Sequence, residues 1–91
     1  MKAFVYTVWF RDPAMEPEDQ DYEWCACIRI IAASAETAQA WGDHLSKRRS
    51  QNGHSDIFLK SDVEVDDMTY ELDQMPSVTD GDEASDAFIG W

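Results

Sequence analysis

Residues Lys2 to Arg11 are apolar on both faces of an extended chain. Phe4, Tyr6, Val8 and Phe10 fall on one side, and Ala3, Val5 and Trp9 on the other. Successive side chains of a strand point to opposite faces, so a strand wet on one side alternates apolar with polar residues. A β-rich run that does not alternate predicts a central strand covered on both sides. The remaining elements must be arranged around it. With 91 residues the chain has room for one domain and one modest core. A hydrophobic content of 44% sets it apart from disordered chains, despite a net charge of −12.

Asp12 to Asp21 is polar, contains Pro13 and Pro17, and reads as a solvated loop. Tyr22 to Ala33 is a second strand, with Trp24, Ala26, Ile28 and Ile30 on one face and Cys25, Cys27, Arg29 and Ile31 on the other. Ser34 is a good N-cap, and Glu36 follows in the first turn, where the helix dipole favours an anion. Ala35, Ala38, Trp41, Gly42 and Leu45 recur at helical spacing and predict the inward stripe. Gly42 lowers helix propensity but permits a close approach to the sheet. Lys47, Arg48 and Arg49 suit a final helical turn, and Asn52-Gly53 is a turn signal.

Asp56 to Leu59 reads as a third strand, and Asp62 to Asp66 as its continuation or a fourth. Met68 to Met75 fits a short helix or an irregular strand, and Pro76 to Asp86 reads as loop. The expectation is an α+β fold: a small mixed sheet in β-β-α-β(-β) order, with one helix on one face. The first strand lies between the second and third, and a right-handed crossover through the helix joins those two. Residues 2–66 form this core of the single domain, and 67–91 an acidic tail with an apolar tip. One helix leaves the other sheet face bare, so that tail or a second subunit is the candidate cover near Trp9 or Trp24. Phe88-Ile89-Gly90-Trp91 puts three large apolar residues in the last four positions, which predicts a tip docked on the protein itself.

Charge is distributed unevenly. Residues 1–61 carry nine acids and seven bases, a balance of −2, whereas 62–91 carry ten acids and no base, −10. A surface of one sign attracts the opposite sign and repels its own, which disfavours nucleic acid and anionic membranes as direct ligands and favours a basic protein surface. No apolar run approaches the ~20 residues of a membrane-spanning helix. Met1 to Tyr6 lacks a cleavage-site pattern, so no secretory signal is expected. Cys25 and Cys27 share one face of a strand, where a mutual disulfide would be strained; free thiols in a cytoplasmic protein are expected.

Reactive constellations are sparse. Cys25, Cys27, His44 and His54 lack zinc-site spacing. Asp62-x-Glu64-x-Asp66 opens like a calcium loop, but Asp67 stands at the sixth position, where such loops need glycine, and Asp73 at the twelfth is short for a bidentate ligand. Asp80-Gly81-Asp82-Glu83 reads as a turn. There is no phosphate loop or nucleophile elbow, and Asp43 and His44 point about 100° apart on a helix. We therefore expect no catalytic residue, metal or cofactor. The basic Lys47-Arg48-Arg49 cluster fits internal pairing with the tail or the 16–23 loop better than phosphate binding.

In size, acidity and element order the chain resembles the small phage-encoded inhibitors, including anti-CRISPR and DNA-mimic proteins. That resemblance implies a non-enzymatic protein occupying a basic, nucleic-acid-binding surface of a partner. The expected contacts are Glu16, Glu18, Asp19 and Asp21 of the loop, and Asp62, Glu64, Asp66, Asp67, Tyr70, Glu71 and Asp73. Acids steer such association, and aromatics interspersed among them (Tyr22, Trp24, Tyr70, Phe88, Trp91) anchor it. Two rivals are an accessory or immunity-type protein charged only for solubility, and a Cys/His metal-dependent sensor or enzyme. The expected assembly is a monomer or homodimer.

Overall fold

The computed structural model describes residues 1–20, 22–51, 56–65 and 76–91, excluding the Ser50 side chain. Its elements are β1 (Lys2–Arg11), β2 (Glu23–Ala32), α1 (Ala35–Gln51), β3 (Ile57–Val65), β4 (Ser77–Thr79) and α2 (Asp86–Ile89). The strands form one sheet in the order β3-β1-β2-β4. β1 pairs antiparallel with both β2 and β3, which gives it the expected place between them. β2 and β3 therefore run parallel to each other on either side of β1, and α1 is the crossover between them. β4 pairs parallel with β2, which makes the sheet mixed and the fold α+β.

The third and fourth strands differ from expectation in an instructive way. Asp62 to Val65 continues β3, and the register slips between Trp9 and Phe10, whose partners are Lys60 and Phe58. Leu59 is thus an extra residue in a β-bulge. The bulge resets the parity, so Phe58 and Val63 both serve the core although they are five positions apart. The fourth strand lies in the stretch that reads as loop. Three residues are too few to display alternation. Backbone pairing defines the strand: the Arg29 N–H donates to the Pro76 carbonyl at 2.9 Å, and the Asp80 N–H to that of Ile31 at 2.8 Å. The turn at Asn52-Gly53 and the Met68–Met75 stretch fall outside the described residues.

Ser34 caps α1 as its type suggests. Its hydroxyl accepts from the Thr37 N–H and the Thr37 hydroxyl accepts from the Ser34 N–H, both at 3.2 Å, which satisfies two backbone donors reciprocally. α1 lies on the side of Phe4, Tyr6, Val8 and Phe10, and Ala38 and Leu45 are fully buried there with Ile28 and Ile30. Ala35 is exposed and does not join the stripe. Gly42 rests directly on Tyr6: a Cβ added to it would overlap the tyrosine ring. The ring is held at its far end, where its hydroxyl donates to Asp43 Oδ1 at 2.7 Å and lies 3.0 Å from Ser46 Oγ.

The C-terminal segment folds back onto the same side as α1. It does not cover the opposite face. Ile89 is buried in the core and the Trp91 ring meets Phe10 edge-on at 5.8 Å. The physical reason is what α1 offers this segment. Trp41 Nε1 donates to the Asp82 carbonyl at 3.1 Å, and Arg48 binds both the Glu83 carboxylate and the Ala84 carbonyl. Ser85 then caps α2, and Gly90, at φ 85°, closes it in a left-handed conformation that turns Trp91 inward.

Two outcomes follow for the Tyr6 contact. Gly42→Ala gains about 1 kcal/mol of helix propensity, but overpacking against a ring that cannot retreat costs about 1–3 kcal/mol or more, so the variant melts below the parent. Burial is the main cause that raises the Tyr6 pKa; the Asp43 hydrogen bond and charge add to it, and the Ser46 hydrogen bond opposes it. An unfolded tyrosine ionises near pH 10. The stability that Tyr6 contributes is therefore complete below about pH 10 and is lost as pH rises from there through the higher folded value. Denaturant titrations across that range should show a shallower alkaline decline for Tyr6→Phe than for the parent.

Candidate partner-binding surface

Much of the chain's cationic charge is engaged internally. Arg11 pairs with Glu23 at 2.7 Å and lies over the Tyr22 ring. Arg48 pairs with Glu83. Arg49, almost fully buried, pairs with Asp56 and lies over both Phe10 and Trp24, 5.2 and 5.1 Å from their centroids. Lys47 lies over Phe58 and Lys60 over Trp9, at 5.0 and 4.9 Å. The basic end of α1 thus serves the fold, as its place in the last turns suggests: Arg48 holds the C-terminal acids, while Arg49 reaches Asp56.

Other acids face solvent in separate places. Glu16, Glu18 and Asp19 are exposed in the β1–β2 connection, which is braced by hydrogen bonds from the Asp19 N–H to the Glu16 carbonyl and from the Asp12 N–H to the Tyr22 carbonyl. Asp62 and Glu64 are exposed on β3, opposite Thr7 and Val5 of β1. Thr7 lies four residues in from Arg11, where the connection begins, so about 13 Å of strand separates the two groups. The structure therefore does not merge them into one patch. Asp21, Asp66, Asp67, Tyr70, Glu71 and Asp73 lie outside the described residues.

A third group is one that sequence reasoning passed over. Asp82 and Glu83 border an open hollow whose floor and walls include Val78, Thr79, Ser85 and Phe88. Phe88 is 60% exposed although its neighbour Ile89 is buried. Among the described aromatics interspersed with acids, Trp24 and Trp91 pack on the core and Tyr22 lies under Arg11, leaving Phe88 turned outward. The signal was present in the acidic run before the apolar tip. Which of the three apolar residues points out depends on the single turn of α2.

Cys25 and Cys27 are free and exposed on the face opposite α1, and Thr7 Oγ1 lies 3.3 Å from Cys27 Sγ. His44 is on α1, stacked on Trp41 and bonded to Glu83 at 3.1 Å. The sheet stands between this histidine and the thiols, and His54 is outside the described residues. Among the described residues, no three potential ligands cluster to hold a metal. No helix among them is long and apolar enough to cross a membrane.

Compared with known proteins, the chain matches no family model, no curated sequence and no solved structure.

The apolar tip divides into an inner and an outer part. Removing residues 88–91 exposes the contacts of Ile89 and Trp91, so the melting temperature should fall, with a loss of roughly 2–5 kcal/mol and increased binding of an apolar dye. Phe88→Ala should leave both readings at parental values. A truncated chain that melts with the parent would contradict this division.

Proposed function

We propose that this protein is a small, non-enzymatic binding protein whose acidic surface occupies a basic surface of another protein. The observation that supports this reading is the internal use of its cations. Arg11, Arg48 and Arg49 each neutralise a carboxylate of the chain itself, Glu83 of the C-terminal hollow among them, while Glu16 and Glu18 of the β1–β2 connection and Asp82 of the hollow face solvent within a net charge of −12. Such a surface carries a self-repulsion that salt or a basic partner relieves. Phe88 supplies an apolar anchor beside the acids, the combination that steering and desolvation require. A partner whose basic groove takes nucleic acid is the natural match, which makes the protein an inhibitor of the DNA-mimic or anti-CRISPR kind. A cytoplasmic setting fits its free thiols.

The acids of the three groups are expected to act separately because the fold separates them. Capture from host lysate at low and high salt identifies the partner, and duplex DNA added as competitor tests the mimicry. Affinity should fall steeply with salt, mainly through a slower on-rate. Changing Glu16, Glu18 and Asp19 to Gln or Asn, or Asp82 to Asn with Phe88→Ala, should weaken binding without lowering the melting temperature; the corresponding change at Asp62 and Glu64 tests the β3 group. Parental affinity and salt dependence in all three variants would leave charge with a role in solubility only, as in an accessory protein.

A further inference from the structure

Cys25 and Cys27 take no part in the acidic surface. Both thiols are free and exposed, and both rise from β2 on the face opposite α1. Their neighbours on β1 are Trp9, level with Cys25, and Thr7, level with Cys27. The Thr7 hydroxyl lies 3.3 Å from Cys27 Sγ, within reach of a hydrogen bond to sulfur. A thiolate can only accept, so the hydroxyl becomes the donor once Cys27 loses its proton.

The spacing of the two thiols decides what they can hold. A strand rises about 3.4 Å per residue, so residues two apart stand about 7 Å apart with their side chains abreast. A disulfide needs Cβ atoms about 3.8 Å apart and sulfurs about 2 Å apart, which an extended strand does not allow. Strand side chains do lean along the chain direction, so the two sulfurs can converge to a distance between those limits. With metal–sulfur bonds of about 2.3 Å, one ion held from opposite sides spans about 4.6 Å from sulfur to sulfur, within that range. Ligand number then selects the metal. Zinc needs three or four protein ligands, and among the described residues no group of three potential ligands forms here. Copper(I) is soft, favours thiolates, and is content with two ligands in line. The single intervening residue that disqualifies the pair for zinc is what sets both sulfurs on one face.

We propose that Cys25 and Cys27 form a two-coordinate binding site for copper(I), with Thr7 positioning the Cys27 sulfur. Each thiol gives up its proton to solvent as its sulfur binds. The copper stays monovalent, so the step is ligand exchange and nothing is oxidised. The hydrogen bond from the Thr7 hydroxyl orients one ligand, as outer-shell partners of metal sites do. The site is separate from the acids of the β1–β2 connection and the C-terminal hollow, and its occupation requires no basic partner.

Titration of the reduced protein with copper(I), free of oxygen and in competition with the chromophoric chelator bicinchoninate, tests this. The chain should take one equivalent from the chelator and show a thiolate-to-copper charge-transfer band in the ultraviolet. Thr7→Val should weaken binding by roughly 10–100-fold, the range for an outer-shell partner, and Cys25→Ser and Cys27→Ser should each weaken it further. Cys25→Ser combined with Glu23→Cys keeps two thiols on the same face but sets them about 13 Å apart, so it should bind no better than Cys25→Ser alone. Circular dichroism melting of each copper-free variant separates a lost ligand from a lost fold, and an alanine variant replaces any serine variant that folds poorly. A chelator that keeps all of the copper overturns the proposal. So does one copper shared between two chains, or a relocated pair that binds as tightly as the parent.

Discussion

The close seat of α1 on Tyr6 is the constraint from which the rest of the structure follows. A helix normally stands off a sheet by the length of its side chains. Here Gly42 removes that spacer, and the Tyr6 ring fills the space where a Cβ would otherwise lie. Seating α1 on the middle of the central strand fixes its rotation. Asp43 and Ser46 must then meet the Tyr6 hydroxyl, Leu45 must enter the core, and Trp41 and Arg48 are left on the flank that faces the C-terminal segment. The buried hydroxyl makes the contact selective as well as tight. Displacing the helix would leave a phenol desolvated and unpaired, a cost of about 1–3 kcal/mol beyond the lost packing.

That rotation also determines where charge ends up. With Arg48 on the flank and Arg49 turned inward over Phe10 and Trp24, the basic cluster is consumed in holding Glu83 and Asp56. The buried Arg49–Asp56 pair contributes little net stability against an apolar substitute, but removing one partner strands a charge. The more exposed Arg48–Glu83 pair has a positional benefit. Arg48 ties residues 83 and 84 to the helix, and the turn of α2 that follows presents Phe88 outward and Ile89 inward. The exposed and the buried part of the tip are thus set by one helical face.

The central strand, the order of β1, β2, α1 and β3, the Ser34 cap and the role of Gly42 were legible in the sequence, because each rests on a local pattern: doubled apolar parity, capping chemistry, or a glycine within an apolar stripe. The features that were not legible depend on pairing across the sheet. Leu59 looks like any other apolar strand residue, and only the register against Trp9 and Phe10 makes it a bulge. Ser77 to Thr79 becomes a strand because β2 offers it an edge. The destination of the apolar tip was half legible. That Ile89 and Trp91 need burial follows from their chemistry, but the choice of sheet face depended on hydrogen-bonding groups of α1 that no spacing reveals. The expected acidic site fared similarly. Residue type identified Glu16, Glu18, Asp19, Asp62 and Glu64 as solvent-facing acids, but their separation along the sheet is a property of register alone.

Register also explains how one chain can carry two surfaces of different character. Glu16 and Glu18 lie in a connection whose one flanking base, Arg11, is already paired with Glu23, and Asp82 borders the C-terminal hollow. Glu64 and Asp62, equally acidic in sequence, belong to a sheet face that Arg29, Arg11 and Lys60 also populate. Averaged over the chain these are the same charges. Placed by the fold, the first set leaves an excess of one sign at the ends of the sheet, and the second stands among bases in a balanced pattern.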